Sequence, residues 1–310
     1  MRLVFGSRID QAQDQTGLTD CENADCIDME FSDLDEEDIE TVLHSHNFYR
    51  VIIANGKESR GNPGPQPAAR IMMELIWDDE LAVIARRWAL QCKLFETDEC
   101  RDIERFGVRQ NVNVLNMDKM EHSTSRKRIH FHITSWYNEV QHFDNAKIGL
   151  VNYSDAALQS SPSYISLASA TFIYVGCGRA IYTPDLNKTA ATPGRFGNRV
   201  EVLVCNYGPV DRTALQQLYK LGRPGLCPSG TFPSDHYQSL CKLCLASHFK
   251  SYVSSVFTKM EKVSDRNRLK CKALLLIFPK TIFEIGWKNI KEPMRRDKEA
   301  QTVERNSSVS

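Results

Sequence analysis

Apolar positions along this chain recur at helical spacing in three segments and at strand spacing in three others. Ile39, Leu43, His46 and Ile53 repeat along one helical face that runs through Ala54. Ser32 followed by Asp35 reads as a capping-box-like start, acidic residues there suit the helix dipole, and Asn55-Gly56 reads as the stop. Leu81, Ala85, Trp88 and Cys92 fall at i, i+4, i+7 and i+11, with Asp78 as N-cap and Asp79 and Glu80 in the first turn. That spacing predicts a second helix with Cys92 on or beside the core. His132 to Val140 is a third helical pattern, centred on Trp136-Tyr137-Asn138-Glu139. Gln110 to Leu115 alternates as a short strand, while Thr171–Tyr182 and Arg199–Tyr207 are β-rich, with Val200, Val202 and Val204 on one face. Leu158 to Ala170 reads as helix, or loop then helix; periodicity does not place it. The bridge Arg60-Gly61-Asn62-Pro63-Gly64-Pro65-Gln66-Pro67 is neither helix interior nor central strand, because proline lacks an N–H and restricts its predecessor. It is expected to run extended at the surface. Thr183 to Asn198 is a polar loop containing Pro193-Gly194.

Composition narrows the class. The chain has 310 residues, 42% hydrophobic and 25% charged, which is enough for one sizeable core plus extensions. Formal net charge is zero, so no whole-molecule field points to nucleic acid or an anionic membrane. The apolar run Ala273–Phe278 is far short of the roughly 18 residues that span a bilayer, so no transmembrane segment is expected. Ten cysteines suggest disulfides and an oxidising compartment. Cys241-Lys-Leu-Cys244 has zinc-ligand spacing, but a second matched pair is missing. Met1 to Gly6 begins like a secretory signal and stops too soon, with Asp10 and Asp14 following. The start is therefore read as processed, truncated or wrongly assigned, and the cysteines carry the expectation of secretion. Four regions follow: an acidic arm with two cysteines over 1–34, a main domain over 35–215, a Cys-rich extension over 216–245, and a basic tail over 246–310, read as flexible. Asn152, Asn187 and Asn306 open N-glycosylation triplets, of which Asn187, in the polar loop, fits best.

Two blocks carry a family resemblance. One is His46 to Cys92, with its Gly-Asn-Pro-Gly-Pro-Gln-Pro bridge. The other is Tyr174-Val175-Gly176-Cys177-Gly178 with Leu203-Val204-Cys205-Asn206-Tyr207-Gly208-Pro209. Together they resemble the CAP superfamily (cysteine-rich secretory proteins, antigen 5, pathogenesis-related 1), and within it the insect antigen 5, or venom allergen 5-like, proteins. The likeness covers roughly Asp35 to Val210, and the segment to Cys244 resembles the cysteine-bearing extension of insect members. It implies an α/β fold: an α-β-α three-layer sandwich with a central, mainly antiparallel sheet.

Cys177 and Cys205 lie on neighbouring predicted strands, where a bond is geometrically feasible, and the resemblance implies the same pair. Closing that loop stabilises by roughly 3–4 kcal/mol in the chain-entropy model. The resemblance further implies that Cys92 and Cys100 reach back to the arm; by order, Cys26 is matched with Cys92 and Cys21 with Cys100. Cys227 with Cys241 closes the extension, leaving Cys244 and Cys271 to pair or stay free.

CAP proteins resemble one another in a cleft with two histidines and two glutamates, a set suited to a divalent metal. Carried over position by position, the first histidine falls at Thr97. The first glutamate, within a Gly-Glu-Asn or Gly-Gln-Asn motif, falls at Gln110 in Arg109-Gln110-Asn111. The Trp-Tyr-x-Glu glutamate is Glu139, and the second histidine falls at Ser163. One carboxylate and one amide do not hold zinc as three or four imidazole and carboxylate groups do. No cofactor and no catalytic residue is expected. Other pairings are weaker. His44 and His46 sit on different sides of a helix; His130 and His132 share a face only in a strand. Glu139 and His142 have the i, i+3 spacing of bundle metal sites but no second copy. Ser161–Ser166 lacks the context of a nucleophile elbow. The resemblance thus implies a secreted, non-enzymatic venom allergen-like binding protein, its ligand an extracellular lipid, sterol, small amine or host protein. The first place to look is the cleft mouth at Thr97, Gln110, Glu139 and Ser163. The alternative is a metal-dependent hydrolase or protease relocated to Glu139 with His142 or the His130/His132 pair.

Overall fold

The computed structural model describes residues 26–30, 33–120, 122–151, 160–184, 199–211 and 216–243. Its first helix, α1 (Glu36–Ala54), is capped by Asp35, whose side chain accepts the Asp38 N–H at 2.7 Å. The helix therefore starts after the Ser32 signal. It stops where expected, at Asn55 and Gly56, the latter at φ +62°. Its buried face is rotated from the expected one. Val42, His46, Tyr49, Arg50 and Ile53 are buried, while Ile39 and Leu43 are only half-buried. Polar residues belong to that face because each is fully paired. Asn47 exchanges two hydrogen bonds with the Leu75 backbone, at 2.9 and 3.0 Å. The Arg50 guanidinium donates to the carbonyls of Met73, Leu167, Ser169 and Phe172 at 2.7–3.2 Å.

Helix α2 (Asp79–Ala89) is capped by Asp78, as its sequence predicts. Leu81, Ala85 and Ala89 are its buried residues. Trp88 is half-buried and donates its indole N–H to the Glu96 carbonyl; Cys92 lies beyond the helix, buried in a turn. Helix α3 (Ser125–Asn138) starts well before His132, capped by Thr124, and runs into a 3₁₀ turn at Glu139–His142. Helix α4 (Pro162–Ala168) settles the C-terminal part of the segment that periodicity left unplaced; 152–159 lie outside the described residues.

The strands are β1 (Cys26–Glu30), β2 (Ile76–Trp77), β3 (Gly107–Asn116), β4 (Tyr174–Pro184) and β5 (Val200–Val210). They pair in the order β1-β4-β5-β3, all antiparallel, with β2 added parallel to β4. Part of the acidic arm is thus an edge strand rather than a solvated segment: Met29 packs against the sheet core while Ile27 stays exposed. Alternation along β5 defines the layers. Val200, Val202 and Val204 pack towards α2 with Ala85 and Ala89. Leu203, Cys205 and Tyr207 face the opposite core with Val42, Ile133, Trp136 and Tyr164. The result is the expected α-β-α sandwich, α2 on one face and α1, α3 and α4 on the other. Helix α2 lies directly on β4 backbone: a Cβ at Gly178 would come within 2.2 Å of Arg86 backbone atoms, and one at Gly176 within 2.3 Å of the Ala82 nitrogen.

Cys177 and Cys205 face each other across β4 and β5 and are disulfide-bonded. Cys227 and Cys241 are also bonded, at the hairpin of β6 (Thr231–Pro233) and β7 (Cys241–Leu243). Cys241 is therefore not a thiolate for zinc. It packs against Met73 and Ile173, which fixes the extension to the main domain. Cys92 is disulfide-bonded, and its partner's side chain lies outside those described. Cys100 departs from the expected pairing with Cys21: it is a free thiol on an exposed turn, its N–H held by the Asp98 carboxylate at 2.8 Å. Cys21, Cys244, Cys271, the three glycosylation triplets at Asn152, Asn187 and Asn306, and the tail fall outside the described residues.

Candidate functional site

The four carried-over cleft positions separate into two pairs on opposite faces of β3. Strand alternation sends Gln110 to one side and Arg109 and Asn111 to the other. Gln110 is buried and spent at both ends. Its carbonyl oxygen accepts the Asp98 N–H at 2.7 Å, and its amide donates to Asn206 at 2.9 Å. Asn206 in turn donates to the Leu81 carbonyl on α2. Thr97, next to Asp98, is exposed. This pair belongs to the α2 side of the sheet.

Glu139 and Ser163 meet on the other side. One Glu139 oxygen, Oε2, accepts the Ser163 and Tyr164 N–H groups at 2.6 and 3.1 Å. The Ser161 hydroxyl donates to the Glu139 carbonyl at 2.8 Å. Glu139 thus holds the first turn of α4, satisfying N–H groups that have no partner within the helix. Desolvation pushes its carboxyl above the usual range, opposed by the hydrogen bonds from Ser163 and Tyr164 and by the positive charge of Arg109.

Arg109 holds the same turn from the sheet. Its side chain, 5% exposed, donates to the Ser166 hydroxyl at 2.9 Å and to the Pro162 carbonyl at 3.0 Å. Asn111 donates to the Ser163 carbonyl at 3.1 Å and to the Tyr207 hydroxyl at 3.4 Å. Tyr207 then meets His46 Nε2 at 2.8 Å. His46 Nδ1 sits 2.7 Å from the Val42 carbonyl, which only accepts, so Nδ1 carries the hydrogen and Nε2 accepts from Tyr207. Burial lowers the His46 pKa to about 4, with the Val42 hydrogen bond opposing and the Arg50 charge assisting. A continuous polar chain therefore runs from α1 through β5 and β3 to α4.

Three other histidines weighed as ligands lie in separate surroundings. His130 is exposed and 3.1 Å from the Ser45 hydroxyl. His132, on the same helix, is buried between Asn113 and Glu201, at 3.0 and 3.3 Å. His142 is exposed in the 3₁₀ turn. Among the described residues, no three His, Cys, Asp or Glu side chains converge as a metal-binding set. The donors at the carried-over positions do not fit a zinc ion: the amide is consumed on one face of the sheet, and the carboxylate on the other already accepts two N–H groups. Sequence reasoning missed Arg109, Asn111, His46 and Tyr207 as parts of this network. The available signal was a cation beside Gln110-Asn111 in a strand whose other residues are uncharged.

The fold and this network define a class of protein: a disulfide-bonded α-β-α sandwich with a polar junction where α3 hands over to α4. A family model described as CAP, the cysteine-rich secretory protein family, matches residues 43–207, and the chain belongs to that family. It is 37% identical over 195 residues to venom allergen 3 of Solenopsis invicta, covering 62% of this chain and 77% of that protein. It is 34% identical over 184 residues to venom allergen 5 of Polistes dominula, covering 59% and 72%. The crystal structure of NaASP2 with Zn2+ matches with a TM-score of 0.51 at 20% identity, covering 67% of this chain and 96% of that one, a likeness of fold. No helix among the described residues is long and apolar enough to cross a membrane.

Proposed function

We propose that this chain is a secreted, venom allergen-like recognition protein that works by binding and not by catalysis. The observation that carries the reading is the commitment of Glu139 to the α4 backbone, 2.6 and 3.1 Å from two N–H groups. A carboxylate that spends one oxygen on holding a helix turn is a poorer base and a weaker metal ligand than an unbonded one. Gln110, Thr97 and Ser163 add no base and no strong metal ligand. Disulfides at Cys177–Cys205 and Cys227–Cys241 support an oxidising, extracellular setting. The relatives named venom allergen support the same setting. Ligand recognition is assigned to the mouth of the junction beside Glu139 and Ser163, with a lipid, sterol, amine or host protein as ligand class.

Zinc titration of the purified full-length protein by calorimetry, alongside peptidase and esterase assays, tests this. The expected result is no saturable zinc binding and no turnover above buffer. Zinc-dependent hydrolysis that disappears in Glu139→Gln would overturn the reading in favour of a relocated metal-dependent hydrolase.

A further inference from the structure

We propose that the Arg109 guanidinium is a built-in cation for the Glu139 site, so that the site excludes metal ions and amines and is left for uncharged ligands. The inference rests on the binding function proposed above and narrows its ligand class. Two clasps meet on one helical turn. Glu139 takes the N–H side of the first turn of α4, at Ser163 and Tyr164. Arg109 takes its carbonyl and hydroxyl side, at Pro162 and Ser166. The two side chains come from different elements, the 3₁₀ turn after α3 and strand β3, and carry opposite charge. Arg109 is within electrostatic reach of the Glu139 carboxylate.

A half-buried carboxylate needs a positive neighbour, and a side chain already provides it. A second cation at Glu139 would meet the fixed charge of Arg109 in a partly desolvated setting, where like charges repel more strongly than in water. Arg109 cannot turn away to make room, because its hydrogen bonds to Ser166 and Pro162 and its burial on a central layer hold it in place. Arginine is suited to this role: it stays protonated at all accessible pH values, and its planar fork satisfies a carbonyl and a hydroxyl at once. Removing it leaves a carboxylate without its counter-charge, next to a space of guanidinium size.

The test uses the full-length protein and calorimetric titration with methylguanidinium and, separately, with zinc chloride. Wild type and Arg109→Lys, which keeps the charge, are expected to bind neither. Arg109→Gly and Arg109→Ala are expected to bind methylguanidinium at least tenfold more tightly than wild type, and Glu139→Gln added to either is expected to abolish that gain. The alanine variant keeps the test open should the glycine variant not fold. Equal cation affinity in wild type and in the folded truncation would overturn the inference, as would a gain that survives Glu139→Gln. Hydrolytic turnover by wild type would instead defeat the proposed function, so the two failures are distinguishable.

Discussion

His46 shows how a single side chain ties stability to pH. It is fully buried, neutral, and bonded through both ring nitrogens to Val42 and Tyr207. Its folded pKa, lowered to about 4, lies below the ordinary value of 6.5. Between those values the unfolded chain binds a proton that the native state does not, so stability falls as pH drops from about 6.5 towards 4. At about 1.4 kcal/mol per unit, the loss for this group alone is on the order of 3 kcal/mol. His132 is also lowered, chiefly by burial and against the pull of Glu201, and acts in the same direction. Urea unfolding at a series of pH values is expected to show this decline, and His46→Gln is expected to flatten it, whatever its effect at neutral pH. An unchanged pH slope in that variant would exclude the assignment.

Elements differ in how plainly their residues announce them. The start of helix α2 was legible, because its cap and first-turn acids coincide with Leu81 and Ala85, but the apolar period overran its end: the helix stops at Ala89, and Cys92 is buried beyond it. Strand β5 was equally legible, since Val200, Val202 and Val204 face one core. Helix α1 was placed correctly but its buried face was not: the apolar period picked Ile39 and Leu43 and passed over Arg50 and Asn47, which are buried because their partners are carbonyl and amide groups of distant segments that no local pattern displays. The candidate site was half legible. Glu139 and Ser163 do meet, but the alternation of β3 sends Gln110 to the other face, and a motif match alone does not report which face a residue takes. The close approach of α2 to β4 was invisible for a related reason, since a glycine in a strand does not say what lies above it. Gly178→Ala is expected to destabilise by about 3 kcal/mol, because the added methyl would meet helix backbone that cannot move aside as a side chain would. Thermal unfolding measures the loss; a variant as stable as wild type would show that α2 shifts freely on the sheet.

The described residues form a mainly antiparallel sheet with a helix on one face, three on the other, and a hairpin fastened to the edge where Met73 and Ile173 sit. The Cys227–Cys241 bond closes a loop with a sequence separation of 14 residues. In the chain-entropy model such a loop is worth about 3 kcal/mol. Cys227→Ala with Cys241→Ala is therefore expected to lower unfolding stability by about that amount, and to raise hydrogen exchange in β6 and β7 while leaving β4 and β5 protected. Uniform loss of protection would mean that the hairpin and the sheet unfold as one. Arg50 bears on how the rest of the protein divides. Its four acceptors come from Met73, before α2, from Leu167 within α4, and from Ser169 and Phe172 just after it, while the arginine itself comes from the first helix. Neither half of the polypeptide contains both the donor and all its acceptors. A fragment ending after β3 would bury a guanidinium with most of its carbonyls missing, so nicking the chain midway should yield two pieces that remain associated or collapse together, with no self-sufficient half.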